Sequence, residues 1–575
     1  MLTENAKNLL NKRYLLPGET WERLIRRVAT TISSNRHVQE TYAMMLHNLD
    51  FLPNTPTLVN AGARTGQLMA CFVLPIEDNI ESIFDGVKHA AIIHKGGGGT
   101  GFSFSNLREA NQGVQSTRGI ATGPVSFMHV YNAATGAIKQ GGIRRGANIG
   151  ILSVHHPDIK EFISSKADLK QLTNFNISVS ITDAFIKAYM EDKEYDLISP
   201  VGNTVVGKEN ARDIMMLIAE HAHKNGEPGV VFIDTINKNN PLSHLGYMEA
   251  TNPCGEQPLF PYEACVLGSV NLGHMVKDGD IDEDKLMKTV TWGTMFLDNI
   301  IDVSKYPLPQ IEYMVKGTRR IGLGVMGWAD MLTQMHVAYN SEAAIQLAEK
   351  VMEMVHSVAK QTSEEMAVYF GGYPFQKDGT LLQRNATVTT IAPTGSISMI
   401  AECSSGIEPY FSLAYTKTVM DGEKMIYVNP YLKKELEDKE LWTPAIEKHV
   451  VRTGSIQAIA DIPEDIKEVY KTSAEIPFLQ HIKMQAAFQK HTDNAVSKTI
   501  NLPKTATVED VLESYVKAYE LNCKGITVYR DGSRDAQILS IGYQTKKGIC
   551  PECESKTEHA EGCIKCPSCG WAVCE

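Results

Sequence analysis

The sequence lacks both a long hydrophobic run and an excess of basic charge. No stretch approaches the ~18 consecutive apolar residues that a membrane span needs, so we expect no transmembrane helix. The opening segment, MLTENAKNLLNKRYLLPGET, has no basic region followed by an apolar one, and we expect no secretory signal. The formal net charge of -11 argues against a general nucleic-acid binder, because such proteins are usually basic. These absences predict a cytoplasmic protein that binds neither a membrane nor nucleic acid.

Cysteine, by contrast, is plentiful. The chain has 11 cysteines, although structural disulfides are rare in the cytosol. Six of them crowd into the segment from Cys550 to Cys574. The other five are scattered over the body: Cys71, Cys254, Cys265, Cys403 and Cys523. This distribution points to core packing, metal binding or redox chemistry as the role of the thiols.

Strand-like and helical patterns alternate along most of the chain, which favours an α/β fold. Residues 1–50 predict a helical region, residues 51–540 an α/β body, and residues 541–575 a flexible linker with a cysteine-rich tail. The segments ANIGILSV and NFNISVSI predict strands, and SEAAIQLAEKVMEMVHSVAKQTSEEMAVYF predicts a long amphipathic helix. A further helix is expected to open with a capping box at Thr507 and Asp510 and to stop at Gly525.

The tail has the spacing of a zinc site. It contains two CxxC pairs, Cys550/Cys553 and Cys566/Cys569. Four thiolates so spaced can bind one Zn²⁺ tetrahedrally, which predicts a small zinc ribbon. Cys563 and Cys574 then form a spare dithiol. A competing assignment lets Cys563 bind zinc and pairs Cys569 with Cys574, and the sequence leaves both open.

Several motifs of the body occur together in one order. They are NTPTLVNAGARTGQLMAC, HKGGGGTGFSFSNLRE, KQGGIRRGAN, NPCGEQPL, RRIGLGVMGWAD, PTGSISM, SKTINLP and GITVYRDGSR. Taken singly, such segments are ordinary turns and helix starts. Taken together, they resemble the catalytic subunit of ribonucleotide reductase from about Leu15 onward. The resemblance implies a ten-stranded α/β barrel of the ribonucleotide reductase and glycyl radical type.

The chain is most similar to the class II, adenosylcobalamin-dependent members of that family. Class I members relay a radical through a tyrosine pair, whereas GITVYRDGSR contains only Tyr529. The class III glycyl radical signature is absent, the N-terminal region is too short for a separate ATP-binding domain, and the zinc-ribbon tail is typical of bacterial class II chains. The alternatives are a class I-type large subunit that needs a metal-containing partner, and a zinc-ribbon binding protein whose body is a scaffold.

The resemblance assigns the chemistry to NPCGEQ and to two distant thiols. It implies that Cys254 becomes a transient thiyl radical that abstracts the 3′-hydrogen of the ribose. Glu256 would take the 3′-hydroxyl proton as general base, and Asn252 would hydrogen-bond the sugar. Cys71 and Cys265 would supply two electrons and end as a disulfide, which requires their Cα atoms to lie within about 7 Å.

The tail dithiol, Cys563 and Cys574, would reduce that disulfide by exchange and be regenerated by a thioredoxin- or glutaredoxin-like reductant. The resemblance also implies a homodimer in which dNTP or ATP effectors regulate the choice of base. The implied effector residues are Asp78, Arg108, Arg118, Lys139, Gln140 and Arg144.

Substrate binding is expected mainly at PTGSI, through hydroxyls and through backbone N–H groups at a helix start. By analogy with bacterial relatives we expect a ribonucleoside diphosphate. Thr57 would add a hydroxyl, and Gly99 would let the backbone approach the ribose. The implied substrate-binding residues are Thr57, Ala70, Gly99, Pro393, Thr394, Gly395, Ser396 and Ile397.

Overall fold

The computed structural model describes residues 2–114, 118–140, 144–418 and 424–533, together with three short strands between residues 558 and 574. No helix among these residues is both long and apolar enough to cross a membrane. The α-helices are α1 Glu4–Arg13, α2 Trp21–Ile32, α3 Arg36–His47, α4 Thr55–Asn60, α5 Ile80–Lys95, α6 Gly123–Ala137, α7 Ile159–Ser164, α8 Asp183–Met190, α9 Ala211–Asn225, α10 Ile233–Lys238, α11 Glu283–Val303, α12 Pro309–Thr318, α13 Trp328–Gln334, α14 Glu342–Phe370, α15 Ile397–Ala401, α16 Pro430–Asp438, α17 Pro444–Thr453, α18 Glu464–Val469, α19 Phe478–Gln489 and α20 Val508–Glu520.

The strands are mostly short. They are β1 Phe51–Pro53, β2 Cys71–Val73, β3 Gly99–Ser103, β4 Gly113–Val114, β5 Gly119–Ile120, β6 Lys139–Gln140, β7 Arg144–Arg145, β8 Asn148–Ser153, β9 Phe175–Ile181, β10 Glu194–Ser199, β11 Thr204–Asn210, β12 Gly229–Phe232, β13 Ala250–Thr251, β14 Pro258–Leu259, β15 Ala264–Asn271, β16 Val276–Lys277, β17 Asp280–Ile281, β18 Ile321–Met326, β19 Ala414–Thr418, β20 Lys424–Val428, β21 Thr499–Leu502, β22 Gly525–Arg530, β23 Glu558–Ala560, β24 Cys563–Lys565 and β25 Ala572–Cys574.

The central sheet has ten strands and closes on itself. Its order is β1-β15-β2-β3-β8-β9-β12-β22-β21, with β18 also paired to β15. Bridges from Leu323 of β18 to Thr389, and from Ile391 to Val496 just before β21, join the two ends. The result is an α/β barrel, as the resemblance implies. Most strands are buried on both faces, as expected for a sheet with helices around it.

The N-terminal helices are anchored to the barrel by aromatic packing. The ring of Tyr42 on α3 meets Phe296 of α11 edge-on, with centroids 4.9 Å apart, and Phe296 meets Phe51 of β1 at 5.4 Å. Helices α2 and α3 begin where Thr20 and Asn35 accept hydrogen bonds from the first-turn N–H groups. Their apolar faces thus join the same core as the barrel strands.

A short hairpin, β13 and β14, lies against the barrel strand β3. Gly101 of β3 faces the backbone of Thr251 so closely that a Cβ atom there would lie 1.7 Å from the Thr251 carbonyl oxygen. Only glycine fits such an approach. The glycine-rich sequence HKGGGGTG therefore makes room for the hairpin that carries NPCGEQ.

Most elements predicted from the sequence pattern are confirmed. ANIGILSV and NFNISVSI contain β8 and β9, and the long amphipathic segment forms α14. The Thr507 and Asp510 capping box is present in α20. That helix ends at Glu520, earlier than expected, because Asn522 adopts a left-handed conformation with φ 58°, and Gly525 instead opens β22.

The chain divides into two compact units. One comprises residues 1–409 and 476–533, and contains the barrel and the N-terminal helices. The other comprises residues 410–475 and 534–575. In the second unit, helices α16, α17 and α18 share a small core that includes Leu432, Val450 and Ile466. The sequence patterns did not predict this unit.

Candidate active site

A cavity of about 310 Å³ opens at the hairpin inside the first unit. Its wall contains most of the residues predicted to bind or transform a substrate. The lining comprises Arg13, Tyr14, Asn54, Thr55, Ala70, Cys71, Gly99, Ala147, Asn176, Asn252, Pro253, Cys254, Glu256, Leu267, Gly268, Ser269, Ala392, Pro393, Thr394, Gly395, Ser396 and Ile397. The fold therefore brings motifs together that are more than 300 residues apart in sequence.

Cys254 occupies the turn between β13 and β14 and is exposed. The turn is fixed at its base, where the N–H of Gly255 donates to the Asn252 carbonyl at 3.0 Å. Gly255 has φ 82°, a conformation that glycine adopts without strain. Asn176 of β9 donates to the Pro253 carbonyl at 2.8 Å and holds the turn against the barrel wall. Cys254 thus presents its thiol at the cavity on a braced turn.

Cys71 lies against the side chains of the same hairpin. The Asn252 amide donates to the Cys71 sulfur at 3.1 Å, and this sulfur lies 3.9 Å from a carboxylate oxygen of Glu256. The Gln257 N–H donates to the Asn252 side-chain oxygen at 2.9 Å, which fixes the orientation of the amide. Asn252 and Glu256 are almost completely buried. A thiol, an amide and a carboxylate are therefore in mutual reach beside Cys254.

The backbone of Glu256 is fixed from outside the hairpin. Its carbonyl oxygen accepts hydrogen bonds from the Thr390 hydroxyl and from the Ala495 N–H, both at 2.9 Å. These donors belong to the segments that close the barrel. The position of the carboxylate therefore depends on barrel closure.

Cys265 is the register partner of Cys71 in the antiparallel pair β15 and β2. Directly opposed residues of such a pair have Cα atoms about 4.5–5.5 Å apart, within the range that a disulfide can bridge. Cys265 is fully buried and is absent from the cavity wall. Burial raises the pKa of its thiol well above the ordinary value. The pairing implied for these two thiols is thus compatible with the strand register.

PTGSI is the segment expected to bind the phosphates of the substrate. Its residues, Pro393 to Ile397, all line the cavity. Thr394 is buried, and its hydroxyl accepts a hydrogen bond from the Gly406 N–H at 2.7 Å. Its side chain therefore fixes the loop, which leaves the backbone and Ser396 as the groups that face the cavity. Ala70 and Gly99 also line the cavity, as expected.

Thr57 differs from the expectation. It is fully buried, its hydroxyl lies 3.0 Å from both the Asn54 side-chain oxygen and the Leu68 carbonyl, and it is absent from the cavity wall. The neighbouring Thr55 lines the cavity instead. The reason is that both residues lie on the short helix α4, on which positions two apart do not share a face.

Several lining residues were not predicted from the sequence, and two of them come from the N-terminal helices. Arg13 and Tyr14, at the end of α1, contribute to the cavity wall, and the Tyr14 hydroxyl lies 2.9 Å from that of Thr55. Arg13 is the one basic side chain among the lining residues of the described chain. No local pattern identifies them, because they reach the cavity only when α1 packs on the barrel.

Among the expected effector residues, the structure brings Asp78 and Arg108 together. The guanidinium of Arg108 contacts the Asp78 carboxylate at 2.8 Å. The backbone N–H of Arg108 donates to the same carboxylate at 3.1 Å. Arg118 is exposed, and its N–H donates to the Val114 carbonyl. For Lys139, Gln140 and Arg144 the structure describes the backbone, in which Gln140 and Arg144 are register partners of β6 and β7.

In the tail, Cys563 and Cys574 are register partners in the antiparallel pair β24 and β25. Their Cα atoms are therefore as close as a disulfide requires. The expected zinc ligands Cys550, Cys553, Cys566 and Cys569 lie outside the described residues.

Comparisons with known proteins match both domains of the first unit to one family. Residues 1–66 match the all-alpha domain of ribonucleotide reductase, and residues 69–380 and 376–529 match its barrel domain. The vitamin B12-dependent ribonucleoside-diphosphate reductase of Thermoplasma acidophilum is 46% identical over 537 residues, which cover 92% of this chain and 70% of that relative. The protein of the same name from Mycobacterium tuberculosis is 42% identical over 578 residues, covering 97% and 81%.

A solved structure, the class Id ribonucleotide reductase alpha subunit of Actinobacillus ureae, superposes with a TM-score of 0.78. It is 24% identical, and the match covers 92% of this chain and 97% of that one, which supports the fold alone. Both domain matches together span nearly the whole described barrel and its N-terminal helices, and with the close relatives they establish that the chain belongs to the ribonucleotide reductase family.

Proposed function

We propose that this chain reduces ribonucleoside diphosphates to 2′-deoxyribonucleotides with adenosylcobalamin as the radical source. The observation that carries the proposal is the arrangement of three thiols: Cys254 exposed at the hairpin turn, Cys71 beside Asn252 and Glu256, and Cys265 paired with Cys71. The names of relatives at 42–46% identity support the diphosphate substrate and the cofactor.

The residues around Cys254 fit a radical source that approaches from outside the hairpin. Cys254 is exposed, and the cavity wall includes small residues such as Gly99, Ala147 and Gly395, which leave space inside the cavity. When bound, adenosylcobalamin supplies a carbon radical by homolysis of its cobalt–carbon bond. Cys254 then acts as a thiyl radical and removes the 3′-hydrogen of the ribose, because S–H and C–H bonds are close in strength.

Glu256 and Asn252 handle the polar part of the reaction. Glu256 takes the 3′-hydroxyl proton as general base, from a residue whose backbone carbonyl accepts a hydrogen bond from Thr390. Asn252 binds the sugar through its amide. Asn252 and Glu256 both contact the sulfur of Cys71. Proton transfer to the departing 2′-hydroxyl and the donation of electrons by the thiol therefore take place among residues in contact with one another.

Cys71 and Cys265 provide the two electrons and become a disulfide. Their pairing across β2 and β15 keeps the Cα atoms within the range that a disulfide bridges. Cys563 and Cys574 of the tail then reduce it by thiol–disulfide exchange, and a thioredoxin- or glutaredoxin-like protein regenerates the tail. The register of β24 and β25 supports this role for the tail pair.

The remaining assignments complete the proposal. PTGSI binds the phosphates, a tail Zn²⁺ is held by Cys550, Cys553, Cys566 and Cys569, and the functional form is a homodimer. A dNTP or ATP effector binds near Asp78 and Arg108, whose ion pair it would replace or extend.

The test is anaerobic incubation of the purified protein with a ribonucleoside diphosphate, dithiothreitol and adenosylcobalamin, followed by product analysis. We expect deoxynucleoside diphosphate without any second protein. Parallel reactions with triphosphates test the substrate class. Activity that appears only with an added metal-containing subunit would favour the class I alternative and overturn the proposal.

A further inference from the structure

A buried ion pair lies directly behind Cys265. The Arg320 guanidinium donates from Nε to the Glu263 carboxylate at 2.8 Å and from Nη1 to the Asn494 side-chain oxygen at 2.9 Å. Arg320 is 1% exposed and Glu263 is 0% exposed. The second Glu263 oxygen accepts the Phe260 N–H at 3.0 Å. Nη2 of Arg320 has no hydrogen-bond partner within the described part of the chain.

Such a pair is a weak source of stability, because removing both charges from water offsets much of their attraction. A donor left without a partner adds to the cost. Stability therefore does not explain why this arginine is buried with its Nη2 group unused, and a functional role is the better explanation.

Cys265 is the thiol that this pair adjoins. Its Sγ donates to the Arg320 carbonyl at 3.7 Å and to the Val266 carbonyl at 3.4 Å. Burial raises the Cys265 pKa most strongly, and the carboxylates of Glu263 and Glu256 raise it by smaller amounts. The positive charge of Arg320 is the largest influence that lowers the pKa of this thiol. Arg320 thus favours the thiolate form of Cys265.

The groups next to Arg320 are fixed as well. Lys524 donates to the Asn494 carbonyl at 2.7 Å, and burial, with Arg320 nearby, lowers the Lys524 pKa to about 8. The positive charge of Arg320 also opposes the effect of burial on the neighbouring Tyr373, whose pKa burial raises.

The two thiols of the proposed redox pair differ in access. Cys71 lines the cavity, whereas Cys265 is fully buried and is absent from the cavity wall. A thiolate that enters the cavity therefore reaches the sulfur of Cys71 first. Attack there makes Cys265 the leaving group, and leaving-group stability governs the rate of exchange.

We propose that Arg320, held by Glu263, is a positioning residue that stabilises Cys265 as the departing thiolate when a dithiol reduces the Cys71–Cys265 disulfide. The reductant's thiolate attacks Cys71, the protein S–S bond breaks, and its electron pair moves to Cys265, which then takes up a proton. The second thiol of the reductant attacks the mixed disulfide, releases Cys71, and leaves as the oxidised dithiol. This inference rests on the proposed function.

The test uses the full chain with Glu263→Gln and Arg320→Gln together, which removes both charges and keeps hydrogen-bonding groups. Protein oxidised by one turnover is reduced with dithiothreitol, and the rate of disulfide loss is followed between pH 7 and pH 9. We expect the rate to fall about tenfold. Acid quenching should trap the mixed disulfide on Cys71. Arg320→Lys, which keeps the charge, should restore most of the rate.

A matched control, Lys166→Gln with Glu227→Gln, removes another buried ion pair and should leave the rate unchanged. An unchanged rate in the Glu263→Gln/Arg320→Gln protein, an equal loss in Arg320→Lys, or a mixed disulfide on Cys265 would overturn the inference. The product formed in the first turnover is measured separately. If no Cys71–Cys265 disulfide forms at all, the proposed function itself fails. If the disulfide forms but its reduction does not depend on Arg320, only the present inference fails.

Discussion

The hairpin that carries Cys254 and the strand pair that carries Cys71 and Cys265 hold their thiols in opposite ways. Cys254 is exposed on a two-strand hairpin, whereas Cys265 is fully buried on a barrel strand. Asn252 and Glu256 connect the two regions through their contacts with Cys71. The difference indicates that Cys254 can be reached from outside, whereas Cys265 is shielded from direct exchange.

The most severe test of this comparison is Cys254→Ser. The hydroxyl keeps the size of the side chain, but its O–H bond is too strong to form the required radical. We expect deoxynucleotide formation to fall below detection while nucleotide binding, measured by calorimetry, is retained. Substantial product from this variant would remove Cys254 from the mechanism. Cys403→Ala, a thiol outside the cavity wall, is the control and should stay active.

The second test asks whether the tail thiols are needed for repeated turnovers but not for the first one. In a Cys563→Ser/Cys574→Ser protein the barrel thiols begin reduced, so about one product per active site should form before the reaction stalls. Quantified product against enzyme concentration, with a protein dithiol as reductant, measures this. Peptide mapping after the stall should find Cys71 joined to Cys265. Continued turnover, or both thiols still reduced, would show that electrons travel by another route.

The third test displaces the hairpin without changing a reacting group. Gly101→Ala places a Cβ atom 1.7 Å from the Thr251 carbonyl oxygen, so the hairpin must shift relative to Cys71. A misplacement of about 1 Å costs about a hundredfold in rate, so we expect a loss of that order in kcat/KM. Gly113→Ala is the control, since a Cβ atom there meets nothing within 4 Å. Equal activity of both variants would mean that the hairpin tolerates movement.

The smallest expected effect is a difference between the rates at which the cysteine thiols of the native protein are alkylated. At pH 8 iodoacetamide should modify Cys254 well before Cys265, Cys403 or Cys523. Burial raises the Cys523 pKa to about 12, which leaves about one thiolate in ten thousand at that pH. Mass spectrometry of timed digests measures the order. Modification of Cys523 as fast as Cys254 would contradict the assigned burial, and the unfolded protein, in which all thiols react, is the control.

Local patterns predicted the elements that depend on nearby residues. The capping box of α20 and the strand patterns of β8 and β9 involve neighbours only, and the structure confirms them. The order of the motifs indicated the family and hence the barrel. What could not be predicted depends on distant packing: the approach of Arg13 and Tyr14, the exchange of Thr57 for Thr55 in the cavity wall, and the position of Arg320 behind Cys265.

The closure of the barrel has a consequence for how the protein is made. The bridge between Ile391 and Val496, and the pairing of β12 with β22, join segments that are far apart in the chain. Such non-local pairings form late, because the entropy of closing long loops must be overcome first. The backbone carbonyl of Glu256 is held by Thr390 and Ala495, so these contacts form only after Ala495 has been synthesised. A nascent chain that ends before Ala495 therefore carries Cys71, Cys254 and Cys265 without all the contacts that hold the backbone of Glu256.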